Sequence, residues 1–135
     1  MAEGKRIAIY ARVQQTDVQD VARLPTPLLP TDAARVFLSA NGWDVVSDHI
    51  DSLNEFTQWE KVLDMARKRL IDVIAFPTLS DVPLSAFKMA HITEDLRERG
   101  VSYILVTDMV DTSTSVGQLM FTIMLSYRDL QRQNG

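Results

Sequence analysis

Apolar positions along the chain fall into two alternating kinds of run. Lys5–Ala11 (KRIAIYA) is a short β-branched and aromatic run and predicts a strand; Trp43–Ile50 (WDVVSDHI), Ile71–Phe76 (IDVIAF) and Val101–Thr107 (VSYILVT) predict three more. Between them the spacing turns helical. A short helix is expected from Pro30-Thr31-Asp32 to about Ala40, stopped by Asn41-Gly42. Thr57-Gln58-Trp59-Glu60 has the form of a capping box, followed at helical spacing by Trp59, Val62, Leu63, Ala66 and Leu70. Ser80-Asp81 can cap a third helix with Pro83 in its first turn and Gly100 at its end. The last helix is expected to begin near Ser113–Ser115 and carries a stripe of Val116, Leu119, Met120, Ile123, Met124, Tyr127 and Leu130.

Strands of this kind separated by helices predict an α/β fold. Its central sheet would be mainly parallel, of about four to five strands flanked by helices, with a long amphipathic C-terminal helix. The segment Gln14–Pro30 interrupts the alternation. Pro25, Pro27 and Pro30 exclude a regular helix through its end, so it reads as a long loop with one helical turn near Val18–Leu24.

With 135 residues the chain is expected to form one domain, 1–135, with no separate DNA-binding domain. No apolar run is long enough for a membrane helix, and the N-terminal stretch, broken by Arg12, does not read as a signal peptide. The absence of cysteine removes disulfides and thiolate metal sites, and two distant histidines, His49 and His91, make a metal centre unexpected; no cofactor is expected either. A cytoplasmic location fits. The balance of 14 Lys+Arg against 18 Asp+Glu disfavours tight nucleic-acid binding, which rests on cations neutralising phosphate. The densest basic cluster, Arg67-Lys68-Arg69, is placed to complement a helix dipole.

Four segments in order resemble the catalytic domain of the serine recombinases, the resolvases and invertases. They are Ile7–Val13 (IAIYARV), Asn41–Val46 (NGWDVV), Arg97–Val101 (RERGV) and Asp111–Ile123 (DTSTSVGQLMFTI), the last following a DTSTPxGxLxFxI pattern. The resemblance implies the α/β fold read above. It also implies a dimer or higher homo-oligomer formed through the long helix, here by Leu119, Met120, Ile123, Met124 and Tyr127. Its chemistry would be phosphoryl transfer, in which a serine oxygen attacks a DNA phosphodiester while arginines hold the phosphate.

The same resemblance places Gln14 at the nucleophile position, and a carboxamide cannot attack phosphate. Tyr10, Arg12 and Asp51 match family residues. A segment of the type KLDRLGRS aligns with Thr78–Ser85. Ser80 then stands at the family's Asp, Asp81 at its first Arg and Leu84 at its second. Ser52–Phe56 replaces a Gly-rich segment, and Thr57-Gln58-Trp59 stands where an arginine is expected. The site is therefore expected to be degenerate. The leading expectation is a catalytically inactive interaction or regulatory module, self-associating or bound to an active recombinase, with weak or absent DNA binding. The alternative is a DNA recombinase, or an accessory subunit of one, with a relocated site; Thr16, Ser52, Ser80 and Ser85 are the hydroxyls available by type. A small-ligand binder at the strand ends is a third option, without a Gly-rich loop to support it.

Overall fold

The structure, a computed structural model, describes residues 4–13 and 29–134. Five strands and four helices follow in order. These are β1 (Arg6–Val13), α1 (Asp32–Ala40), β2 (Asp44–Ser52), α2 (Thr57–Arg67), β3 (Val73–Phe76), α3 (Ala86–Glu98), β4 (Ser102–Leu105), β5 (Val110–Asp111) and α4 (Ser115–Asn134), with a 3-10 turn at Leu79–Asp81. The strand order is β2-β1-β3-β4-β5. The first four strands run parallel and β5 is antiparallel to β4. This is the α/β architecture with a mostly parallel sheet that the pattern predicts.

β1 lies inside the sheet, between β2 and β3, and is covered on both sides, which explains its unbroken apolar run. Ala8 and Tyr10 face the larger core, shared with Trp59, Val62 and Ala66 of α2, Met89 and Leu96 of α3, and Phe121 and Leu125 of α4. Ile7 and Ile9 face the other side with Val73, Ala75, Ile104 and, from α1, Ala34 and Leu38. β2 and β5 are the sheet edges, and β2 carries a register irregularity opposite Ile7/Ala8.

Several expectations are corrected. Leu70 lies past the end of α2 and is half exposed, after Arg69 turns the chain through a left-handed conformation (φ 59°). Val101–Thr107 yields a shorter strand, and the chain reverses over Thr107–Met109 into β5, which the pattern missed. The N-cap of α2 is Phe56, with no capping box. α3 begins later than expected: Ser85 is its cap and accepts the Lys88 amide at 3.2 Å, so Pro83 precedes the helix. Gln14, Thr16 and the helical turn expected near Val18–Leu24 lie outside the described residues.

α4 starts at Ser115 because the preceding residues are consumed in a tight junction. The Thr112 hydroxyl accepts the Tyr103 amide at 2.8 Å, and the Thr114 hydroxyl accepts the Gly117 amide at 2.9 Å. A Cβ at Gly117 would stand 1.7 Å from the Asp111 carbonyl oxygen, so only glycine allows this approach.

Candidate functional site at the carboxyl ends of the strands

Parallel strands deliver their carboxyl ends to one edge of the domain, where α/β folds place ligands. There β1 brings Tyr10 and Arg12, β2 brings Asp51, and the turn after β3 brings Asp81. The Tyr10 hydroxyl donates to Asp51 Oδ2 at 2.7 Å and accepts from Arg12 Nη1 at 2.7 Å. Arg12 Nη2 donates to the carbonyls of Ser52 (3.2 Å) and Leu53. The guanidinium carbon lies 4.6 Å from the centroid of the Phe56 ring, a cation–π contact. Arg12 is thus tied to two carbonyls, a phenol and a ring.

Asp51 is 4% exposed and has a second task. Its two oxygens accept the backbone amides of Gln58 (2.9 Å) and Trp59 (3.0 Å) in the first turn of α2. A carboxylate from β2 therefore supplies what the expected capping box at Thr57 does not. Tyr10 is fully buried, and burial first, then the Asp51 carboxylate, pushes its phenol well above its ordinary value. It stays protonated and serves as a donor.

Asp81 is the principal correction. The alignment puts it where the family has an arginine, with its charge turned to phosphate. In the structure the carboxylate turns inward and is 8% exposed. Oδ1 accepts the Arg12 amide at 2.9 Å, and Oδ2 accepts the Thr78 amide and hydroxyl, each at 2.9 Å. Ser80, the position aligned with the family Asp, is exposed on the 3-10 turn. Leu84 packs half-buried against the larger core. The strand ends thus join Tyr10, Arg12, Asp51 and Asp81, and leave Ser80 and Leu84 apart from them. Gln14 follows β1 directly but lies outside the described residues. Phe56 and the Ser52 and Leu53 carbonyls were missed by sequence reasoning; only the presence of an aromatic in place of the Gly-rich segment hinted at them.

Elsewhere His49 Nε2 lies 2.8 Å from Ser47 Oγ and Nδ1 lies 2.9 Å from Gln58 Oε1, tying β2 to α2. At the opposite end of the sheet the basic cluster is engaged within the chain. Arg67 pairs with Asp95 and Lys68 with Asp64, while the carbonyl of Arg69 accepts from Arg6. Among the described residues no group of three or more His, Cys, Asp or Glu gathers to hold a metal, and no helix is long and apolar enough to cross a membrane.

The second candidate surface is α4. Phe121 and Leu125 enter the core, with Gly117 on the same face. Leu119 (61% exposed), Ile123 (57%) and Tyr127 (62%) lie across the helix from them, flanked by exposed Val116, Met120 and Leu130. Met124, read as part of the outer stripe, instead packs partly buried against the larger core.

A sheet ordered β2-β1-β3-β4-β5, strand ends carrying Tyr, Arg and Asp, and a long helix apolar on its far side define a recombinase-type catalytic scaffold. The family model described as Resolvase, N terminal domain, matches residues 7–134, and the chain belongs to this family. It is a serine-recombinase-like domain of a DNA-recombination family. The transposon Tn917 resolvase of Enterococcus faecalis is 31% identical over 75 residues, covering 56% of this chain and 40% of that protein. The DNA-invertase of Escherichia phage P1 is 30% identical over 74 residues, covering 55% and 39%. The chain thus spans about two-fifths of the length of these curated relatives. Among solved structures, the N-terminal catalytic domain of TP901-1 integrase superposes with a TM-score of 0.66 at 18% identity, covering 96% of this chain and 98% of that one. A resolvase family site-specific recombinase from Streptococcus pneumoniae gives 0.70 at 16% identity, covering 96% and 89%. These likenesses show the fold.

Proposed function

We propose that this chain is a catalytically silent recombinase-fold module that self-associates through the outer face of α4. The observation that carries this reading is a helix apolar on two opposite faces, only one of which meets its own core. An apolar stripe that its own domain leaves uncovered marks an interaction surface. Ser115–Tyr127 contains no charged residue, so two copies would meet there without like-charge repulsion. The corresponding helix of an active recombinase is the alternative partner for the same face.

Silence at the strand ends is supported by two features. Gln14 provides no nucleophile, and both Nη groups of Arg12 are held by acceptors within the chain. DNA binding is expected to be weak or absent, as 14 Lys+Arg stand against 18 Asp+Glu and Arg67 and Lys68 already pair with Asp95 and Asp64. Titration of a labelled duplex at physiological salt checks this, and nanomolar affinity would contradict it.

Sedimentation at roughly tens of micromolar, a range suited to weak association, tests self-association. The unaltered chain should sediment as a dimer. Leu119→Lys with Ile123→Lys should give monomers with unchanged thermal melting, because both side chains point away from the core. A monomeric unaltered chain overturns the reading.

A further inference from the structure

Two consecutive residues of α4 hold the segment that follows β3. Arg128 lies on the inward face, and its side chain is 9% exposed. Nη1 donates to the carbonyls of Val82 (2.9 Å) and Leu79 (3.3 Å), and Nη2 donates to the carbonyl of Leu84 (2.7 Å). Nη2 also reaches Asp129 Oδ1 at 2.9 Å. The other Asp129 oxygen, Oδ2, accepts the amide of Ala86, the first residue of α3, at 2.7 Å. Leu79–Ala86 is therefore fastened to α4 at four backbone groups.

Within the segment the Asp81 amide donates to the Thr78 carbonyl at 3.1 Å and the Val82 amide to the Leu79 carbonyl at 3.2 Å, and neither bond serves the carbonyls of Val82 and Leu84. Pro83 carries no N–H, and buried carbonyls need a donor from somewhere. The same segment presents Asp81 to the Arg12 amide at the strand ends. Burial pulls the Arg128 guanidinium below its ordinary value, and Asp129 works against that shift. Burial alone would raise the Asp129 carboxyl, but the Ala86 amide and Arg128 outweigh it and hold it below the usual range.

We propose that Arg128 and Asp129 are a latch: the seating of α4 governs the conformation of the segment from Thr78 to Ala86, and through Asp81 the closure of the strand-end site. Drawing this part of α4 away from the core removes the donors for the Val82 and Leu84 carbonyls and leaves the Leu79 carbonyl only the Val82 amide. The segment then opens while the central strands stay paired. Arg128 acts here as a positioning residue, and the latch is a property of the single chain, independent of self-association.

Hydrogen exchange followed by mass spectrometry on the full chain tests the latch. Arg128→Met keeps most of the apolar stem and removes every donor. Exchange at the amides of Asp81, Val82 and Ala86 should rise by roughly tenfold to a hundredfold, the scale set by losing hydrogen bonds to a charged group. Protection in β1 and β3 should be retained. Arg128→Lys, with one ammonium for three carbonyls, should fall between. Should Arg128→Met fail to fold, Asp129→Asn, which keeps the guanidinium, should still loosen the segment locally. A uniform rise in exchange across the chain, or no change in the segment, overturns the proposal.

Discussion

Replacing Asp51 with alanine should destabilise the domain strongly. The carboxylate is buried and accepts three donors: the Tyr10 hydroxyl at 2.7 Å and the Gln58 and Trp59 amides at 2.9 and 3.0 Å. Losing a side-chain cap at a helix N-terminus costs about 0.5–2 kcal/mol. A hydrogen bond to a charged group contributes about 1.5–3 kcal/mol, and a buried donor left unpaired adds its own desolvation cost. These contributions overlap, since one carboxylate serves all three donors, so a total of about 3–5 kcal/mol is expected. That is a large part of the 5–15 kcal/mol typical of a domain. At about 3 °C or more per kcal/mol for a chain of this size, the melting temperature should fall by roughly 10 °C or more. Asp51→Asn retains one acceptor oxygen and should lose about half as much. Urea unfolding should be followed by tryptophan fluorescence and far-ultraviolet circular dichroism together, since Trp59 packs edge-on to Tyr10 at 5.2 Å. A loss below about 0.5 kcal/mol, the scale of an ordinary surface substitution, would refute the view that the matched family residues act as scaffold.

Gly117→Ala should destabilise by about 1–3 kcal/mol, because the added methyl meets the fixed Asp111 carbonyl; an unchanged melting temperature would contradict the close approach. Gln14→Ser alone, fused to a DNA-binding domain, should form no covalent adduct on a nicked DNA substrate; an adduct through the new serine would show the site to be competent. Adding Asp81→Arg to that variant should harm folding, since it removes the acceptor of three hydrogen bonds, and a fully stable Asp81→Arg chain would count against the placement described. Stability should be flat from neutral pH to about pH 5 and fall below about pH 4, near the carboxylate value of the unfolded chain. The sign follows from Asp72, held below its ordinary value chiefly by Arg6, and from Asp48, where Arg35 and Thr31 together outweigh burial. Lowered folded values stabilise above the unfolded value, and that stability is lost as acid protonates the folded carboxylates. A urea midpoint that rises between pH 5 and pH 3 would contradict this.

The fold was legible where local pattern and tertiary environment agree. β1 is apolar on both sides because both sides are covered, and Trp59, Val62, Leu63 and Ala66 form the inward stripe of α2 as their spacing predicts. Capping was less legible. Asp51 caps α2 from the preceding strand, and the three-residue spacing that suggested a capping box at Thr57 carries no trace of it. Asp81 turns back to Thr78, so the helix it was expected to start begins after Ser85. In α4 the outer stripe was read from spacing, but Phe121 and Leu125 meet the core instead. Periodicity identifies an apolar face and does not say what covers it, and a helix apolar on both sides presents two such faces. Tyr10, Arg12 and Asp51, singled out from the sequence, are hydrogen-bonded together at the strand ends. What was not legible is the direction of Asp81, which depends on the turn after β3.

The sheet's two edges bear on how large an assembly can grow. β5 offers only Val110–Asp111, too short to template another strand. β2 is longer, but it carries Asp44 and Asp48 and an irregular register near its start, features that discourage edge-to-edge pairing. Apolar surface for association is thus concentrated on a helix rather than along a strand. A self-complementary helix contact is used up when two copies meet around a two-fold axis, whereas an open strand edge can recruit copies without end. Raising the concentration of such a chain should therefore fill a closed pair and leave solutions clear, with no fibrous or sheet-extended polymer.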